Sequence, residues 1–359
     1  LWRGWTVEPD PGGDCSLFLD HVKTNLAAGN EEHARYIMAW AAQMVQEPAS
    51  KPGISLVLRG GMGTGKTIFG QVLGRLMGPH YVLVDDPHYV TGNFNSHMAA
   101  CLLLQADEGF WAGDPGAAGR LKGLVTSTHQ MIEPKGKDAV QMANHVRLLV
   151  TSNSEWVVPA GPDERRFAVF DVGDASAQNR EYFGDMLRQM EQSGGYGRLL
   201  HELQEFDLSS VDLNRLPETD ALVDQKIASL SPVDKWWYEC LRRGWIRPFN
   251  DTTEMEWPSY IPTGEVYASY IAFSEKIRLR YCQTDAQVGR SLQKIAPGIQ
   301  RCRRRNGTRR EYVYRIPSLD ACRAAFAEHI RANRIDWQDD EIDVDGPGVP
   351  GSPGGVDDL

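Results

Sequence analysis

The sequence predicts an α/β fold: a parallel sheet flanked by helices, built as a phosphate-binding nucleotide core. Three stretches predict it. Leu56-Val57-Leu58-Arg59 is an apolar run that opens into the glycine-rich Gly60-Gly61-Met62-Gly63-Thr64-Gly65-Lys66-Thr67. Cys101-Leu102-Leu103-Leu104-Gln105-Ala106 runs unbroken into the acids Asp107 and Glu108. Val146-Arg147-Leu148-Leu149-Val150 runs into the polar end Thr151-Ser152-Asn153. Strands covered by helices on both faces read as continuous apolar runs of this kind, without the alternation of a half-exposed sheet.

Ahead of the core, residues 1–15 form a Trp-, Gly- and Pro-rich entry. Leu17 to Ala28 reads as helical. Glu31 to Gln46 is a stronger helix, with Tyr36, Ile37, Trp40, Ala41, Met44 and Val45 at helical spacing, ended by Pro48, Pro52 and Gly53. This N-terminal helical segment is assigned to residues 1–50, with no chemistry of its own.

Residues 51–175 form the core. Gly60 to Thr67 fits G-x-x-x-x-G-K-[ST] without a mismatch. Glycines let successive backbone N–H groups curl around a phosphate with no Cβ in the way. The helix starting near Lys66 points its positive end at the same anion. Lys66 would reach the β and γ phosphates of ATP, and Thr67 would offer its hydroxyl to Mg²⁺. After the helix Thr67–Met77 comes a short strand, Tyr81 to Val84, and a further helix expected to begin within Val90–Ala100. Asp107, at the end of the second long strand, would help hold Mg²⁺; Glu108 would orient and deprotonate the attacking water. The plain alternative is a buried strand followed by an acidic turn.

Ala117 to Thr128 reads as a helix carrying Arg120 and Lys122. Lys135-Gly136-Lys137, flanked by strand-like residues, suggests a hairpin tip; the alternative is a solvated charged turn. Asn153, at the end of a core strand, is placed to sense the γ phosphate, or it simply ends the strand. Asp163-Glu164-Arg165-Arg166-Phe167 sets an adjacent arginine pair before the strand-like Ala168 to Val172. Arginine's planar fork suits phosphate oxygens, so the pair could complete a neighbouring active site; otherwise it is a surface pair bridged to Asp163 or Glu164.

These elements in this order resemble superfamily 3 helicases, a branch of the AAA+ ATPases, and more narrowly the poxvirus-type primase-helicases of phages, prophages and plasmids. The matching residues are Gly60–Thr67, Leu102–Glu108, Leu121-Lys122 with Thr126, Glu133–Lys137, Leu149–Asn153 and Glu164–Phe167. The resemblance spans about residues 15–200. It implies ATP and Mg²⁺ as cofactors and a ring, usually a hexamer. It implies a site between subunits, with Arg165 or Arg166 serving the neighbour. It also implies that Lys135 and Lys137 grip single-stranded or forked DNA in a central channel, with 3′ to 5′ movement. Members are often fused downstream of a primase or primase-polymerase domain. The chain begins with Leu1, and a piece of a longer protein is expected.

Residues 176–231 are helix-rich and polar and read as a connector or lid, with no chemistry assigned. From Pro232 the texture changes. Val233–Arg243, a stretch within Thr263–Arg280, and Thr284–Ile295 read as three helices, the last with Arg290 and Lys294 on one face. Ile299 to Ile316 alternates as two strands around Arg303, Arg304, Arg305, Asn306, Gly307, Thr308, Arg309 and Arg310; Asn306-Gly307 is a strong hairpin turn. Three helices and a basic hairpin make residues 232–335 winged-helix-like, and the five arginines are expected to clamp phosphates. The alternative is a protein-docking domain with a solvated basic loop. Residues 336–359 form an acidic, Gly- and Pro-rich tail expected to be disordered.

The bulk numbers agree. Hydrophobic content of 42% and charged content of 24% are those of a soluble globular protein. No apolar run approaches a membrane span. The six cysteines are scattered with no C-x-x-C pair, which suits a reducing cytoplasm, that of a bacterial host for a phage or plasmid gene. The net charge of −10 misleads, because eight acids and no bases lie in 336–359; without that tail the chain carries −2. Two other readings stay open: an AAA+ loader or remodelling ATPase acting on a protein, and an origin-binding initiator whose ATPase controls assembly.

Overall fold

The computed structural model describes residues 2–86, 88–107, 115–246, 256–306 and 309–337. The chain divides into two compact units, one of residues 1–231 with 327–333 and one of 232–326 with 334–359.

The first unit opens with α1 (Ser16–His21), which continues as a single π-turn, Val22–Leu26, and closes at Ala28 with φ +48°. Helix α2 (Glu31–Gln46) starts on Asn30, whose side chain accepts from the N–H groups of Glu32 and His33. Then follow β1 (Ser55–Arg59), α3 (Lys66–Met77), β2 (Tyr81–Val84), α4 (His88–Thr91), β3 (Leu103–Asp107), α5 (Pro115–Thr126), β4 (His129–Ile132), β5 (Val140–Ala143), β6 (Arg147–Ser152) and β7 (Phe167–Asp171). Helices α6 (Arg180–Gln192), α7 (Gly195–Glu205) and α8 (Asp220–Ala228) complete it.

Five strands form one parallel sheet in the order β2-β3-β6-β1-β7. Alternate residues of each strand feed two cores. Leu56, Leu58, Leu149 and Phe170 pack with α1, α2, α3, α6 and α7 through Phe18, Ile37, Trp40, Phe69, Met186 and Leu199. Val57, Leu104, Leu148, Val150 and Val169 pack on the other face with Leu121, Val125 and Leu222. This two-sided burial is why the strands read as continuous apolar runs. Strands β4 and β5 pair only with each other, as a hairpin outside the sheet.

The helix expected within Val90–Ala100 is not there. Helix α4 ends at Thr91, where Gly92 N–H closes on His88 C=O at 2.7 Å, and only a short 3₁₀ turn, Ser96–Met98, follows. The side chain of Asn95 is taken up by the β4–β5 stem instead: it donates to Met131 C=O at 2.8 Å and accepts from Glu133 N–H at 2.9 Å.

The second unit contains α9 (Pro232–Arg243), β8 (Tyr260–Pro262), α10 (Thr263–Lys276), α11 (Asp285–Ile295), β9 (Gln300–Asn306), β10 (Arg309–Arg315) and the start of α12 (Leu319–His329). Its sheet order, β8-β10-β9, with helix, strand, two helices and a hairpin in sequence, is winged-helix topology. Thr284 and Gln287 form a capping box at the start of α11. Trp236, Trp237, Tyr270 and Phe326 are buried in this unit. Among the described residues no helix is long and apolar enough to cross a membrane.

Candidate functional site

The glycine loop joins the carboxyl end of β1 to the amino end of α3. Gly63 and Gly65 have φ of +73° and +87°, the left-handed region that a side chain disfavours. At Gly65 the space is also closed: a Cβ there would lie 2.5 Å from His21 Cε1 and 2.6 Å from Phe183 Cε1. Lys66 is buried, and its Nζ donates to Gly60 C=O at 2.7 Å and Gly61 C=O at 2.5 Å. The amine thus sits in the curve of the loop.

Thr67 Oγ1 donates toward Asp107, 3.1 Å from each carboxylate oxygen. Asp107 ends β3 directly opposite Thr151 of β6, and Thr151 Oγ1 donates to Asp107 Oδ1 at 2.5 Å. Two hydroxyls therefore hold one carboxylate at the foot of the loop. Gln105 anchors the same helix start, donating to Thr67 C=O at 3.1 Å while accepting from Tyr81 Oη at 2.6 Å. The packing is close enough that a Cβ on Gly70 would lie 2.0 Å from Gln105 Oε1.

Thr67 and Asp107 offer hard oxygen donors, the set that suits Mg²⁺ with phosphate and water completing its shell. Among the described residues no three His, Cys, Asp or Glu side chains converge to hold a metal by themselves. Glu108 lies outside the described residues. Asn153 is exposed and follows directly on β6, whose last carbonyl, Ser152, accepts from Gly60 N–H at 3.1 Å. Because β6 lies between β3 and β1, Asn153 emerges between Asp107 and the glycine loop.

The arginine pair stands at the opposite end of the sheet. Arg166 C=O accepts from the N–H of Ser55, the first residue of β1, at 2.7 Å. Five residues of strand, roughly 16 Å, separate it from the loop at about 3.3 Å per residue. The two arginines differ. Glu164, with its side chain 1% exposed, accepts from the backbone N–H of both and lies 3.8 Å from the Arg166 guanidinium; Arg165 is exposed. Lys135 and Lys137 are exposed on the turn of the β4–β5 hairpin, where Gly136 takes φ +75°. None of these four side chains belongs to the cluster around Lys66.

Three supporting groups carried no sequence signal. His21 is buried behind the loop, with Nε2 3.4 Å from Gly65 C=O and Nδ1 3.2 Å from Tyr182 Oη; burial pulls its pKa below 6.5. Gln178 N–H donates to Gly63 C=O at 2.9 Å. Arg59, one residue before the loop, pairs with both oxygens of Asp171 at 2.6 and 2.8 Å and with Asp224 at 2.6 Å, and donates to Glu155 C=O at 3.1 Å. Helix α8, which carries Asp224, holds the segment after Asn153. The buried amide of Gln225 accepts from Val157 and Val158 N–H at 2.7 and 3.1 Å and donates to Glu155 C=O at 2.6 Å. Ser229 Oγ accepts from Ala160 N–H and Trp156 Nε1, both at 3.1 Å. The stretch 176–231, read as free of chemistry, thus braces the loop and the segment that carries Asn153.

In the second unit, Arg290 and Lys294 are exposed on α11. The hairpin arginines do not form one clamp. Strand alternation puts Arg301, Arg303, Arg305 and Arg310 on one face with Tyr312 and Tyr314, and Arg304 on the other with Tyr260 and Glu311. The guanidiniums of Arg301 and Arg303 lie over the Tyr312 ring at 4.4 and 4.7 Å. The four-arginine face is the one turned to α11, because a Cβ on Gly289 would meet Tyr314 Oη at 2.7 Å. The side chain of Arg309 lies outside the described residues.

Comparison with known proteins bears on the fold. Residues 58–166 match a family of unknown function, DUF5906. The apo structure of the NrS-1 C-terminal region (305–718) superposes with a TM-score of 0.59 at 15% identity, over 87% of this chain and 78% of that one. The chain is similar in fold to that region. A second apo structure of it, the A form, gives a TM-score of 0.60 at 16% identity over the same shares. No curated protein matches.

Proposed function

We propose that the chain is the motor part of an ATP-dependent DNA helicase or translocase of phage, plasmid or prophage replication. The observation that carries this is the triangle of Thr67, Asp107 and Thr151 beside buried Lys66, at the carboxyl edge of a parallel sheet. In such open sheets, ligands bind outside the carboxyl ends of the strands. The similarity in fold to the NrS-1 C-terminal region supports the reading.

Loop N–H groups and the α3 amino end would receive the phosphates of ATP, with Lys66 turning from the loop carbonyls to the β and γ oxygens. Thr67 and Asp107 would hold Mg²⁺, which when bound neutralises charge building on the transferred phosphate. Glu108 would take the proton of the attacking water, and Asn153 would hold that water between the loop and Asp107. Arg165 lies too far from its own loop to act there, so it would serve a neighbouring subunit in a ring, which we take as a hexamer. Lys135 and Lys137 would hold the phosphates of single-stranded or forked DNA without reading bases. A primase or primase-polymerase domain upstream fits the same reading.

The test is DNA-stimulated ATP hydrolysis together with strand displacement on a forked duplex. Lys66→Ala or Glu108→Gln abolishes both. Lys135→Ala with Lys137→Ala abolishes displacement while basal hydrolysis survives. Equal hydrolysis with and without single-stranded DNA refutes translocation. A loader acting on a protein would keep its function in the double lysine variant. The basic face of the second unit favours one further role, anchoring at duplex origin DNA, which tight binding of one defined sequence over random DNA would reveal.

A further inference from the structure

The charge of the chain is distributed in a way its total of −10 conceals. Residues 232–335 hold 19 basic and 11 acidic residues, a net of +8. Residues 336–359 hold eight acidic and no basic residues, a net of −8. Five of those acids fall within seven positions: Asp339, Asp340, Glu341, Asp343 and Asp345. On the folded unit, Arg301, Arg303, Arg305 and Arg310 lie on the hairpin face that meets α11 at Gly289, and α11 exposes Arg290 and Lys294. Two of the hairpin arginines are already ordered over Tyr312, so less side-chain entropy is lost when an anion arrives.

We propose that the acidic segment 338–359 docks on this α11–hairpin face and competes there with the phosphates of DNA. The proposal rests on the reading of that face as DNA-binding. The segment departs from a fixed point on the same unit: the Trp337 ring lies 5.7 Å from Tyr238 and 6.1 Å from Phe326, with Arg323 over it at 5.2 Å. A unit of this size has a radius of gyration of about 13 Å. The 22 residues beyond Trp337 span up to about 75 Å, enough to reach any side of it. Tethering at that length gives an effective concentration of about 1 mM. If the free segment binds at about 0.1 mM, DNA affinity is suppressed about tenfold by simple competition. DNA above that threshold displaces the segment, so the face responds to a phosphate array and rejects stray single contacts.

The test compares three proteins on a labelled duplex by fluorescence anisotropy: the full chain, a chain ending at Trp337, and a full chain carrying Asp339→Asn, Asp340→Asn, Glu341→Gln, Asp343→Asn and Asp345→Asn. Both altered proteins should bind about tenfold more tightly at about 50 mM KCl, the gap shrinking to about twofold at about 200 mM as charges are screened. A synthetic peptide of residues 338–359 added to the shortened chain should slow amide exchange in α11, β9 and β10. Equal DNA affinity for all three proteins overturns the proposal. So does a peptide that leaves those amides unprotected while the shortened chain binds DNA; the DNA reading then stands alone. A peptide that protects the face of a chain unable to bind DNA keeps the docking and removes the DNA reading.

Discussion

Replacing Thr151 with Val tests the proposed metal-holding geometry at a residue that would touch neither nucleotide nor metal. Thr151 is fully buried, and Val keeps its branched shape while losing the hydroxyl. That hydroxyl donates to Asp107 Oδ1, and Asp107 is otherwise held by Thr67. A hydrogen bond to a charged group is worth about 1.5–3 kcal/mol. At about 1.4 kcal/mol per factor of ten, this is roughly a 10- to 100-fold loss of whatever depends on the carboxylate's orientation. Removing the partner that orients a metal-binding carboxylate costs about 10- to 100-fold in metal affinity by independent experience. The two estimates coincide, so the Mg²⁺ concentration for half-maximal ATP hydrolysis should rise by at least about tenfold. Hydrolysis at saturating Mg²⁺ should largely recover, and Thr151→Ser should behave as the parent. A midpoint within about twofold of the parent, in a protein of unchanged melting temperature, would refute the assignment of Asp107 to the metal.

Arg165→Ala should abolish hydrolysis, with a loss of up to about 10³-fold, and leave the fold intact because its side chain is exposed. Mixing it with Lys66→Ala should restore activity, since each variant supplies what the other lacks; no recovery in the mixture would sink the shared site. His21 is held neutral by burial, so its folded-state pKa lies below the 6.5 of the unfolded chain. The stability it contributes is present above about pH 6.5 and is lost as pH falls through the depressed value; melting temperatures measured from pH 7.5 downward should fall less steeply in His21→Phe. Gln225→Leu strands the buried N–H groups of Val157 and Val158, while Glu155 C=O keeps its bond from Arg59. At about 1–3 kcal/mol for each unsatisfied group, denaturant unfolding of the first unit should show a loss of about 2 kcal/mol or more.

The parts of the site that were legible in the sequence are those whose chemistry needs a fixed local spacing. The phosphate-loop pattern places glycines and a Lys-Thr pair within eight residues, so the turn Gly60–Thr67 between β1 and α3 was legible. A strand buried on both faces must be apolar throughout, so Asp107 at its end stands out. His21, Gln178, Gln225 and Arg59 were invisible for the converse reason. Each acts on a partner 44 to 165 positions away, His21 on Gly65 at the near end and Arg59 on Asp224 at the far end. A lone polar residue on a helix, at a strand end or in a turn has no local pattern that distinguishes a solvated position from a buried one. The hairpin arginines failed differently. Their number was legible, but a period of two assigns neighbours to opposite faces, so Arg304 parts from Arg303 and Arg305.

Arg59 also explains why a helix with no chemistry of its own belongs to the site. It ends β1, so any shift of the glycine loop moves it. Its fork is filled by Asp171 from the adjacent strand and Asp224 from α8, and its remaining nitrogen rests on Glu155 C=O. That carbonyl is also held by Gln225, one residue along α8. The glycine loop and the segment after Asn153 are thus tied to one rigid helix by adjacent residues. A change that re-aims Asn153 must either strain the three hydrogen bonds at Gln225 or move α8. Moving α8 pulls Asp224 from Arg59, which costs a bidentate-assisted ion pair in a half-buried setting. The arrangement favours concerted movement of the loop, the Asn153 segment and α8 over movement of any one alone. A Gln225→Glu chain, which keeps both acceptor contacts and loses the donor to Glu155, should therefore bind nucleotide as the parent does while its hydrolysis rate falls. A parallel loss of nucleotide affinity would show that the helix merely holds the unit together.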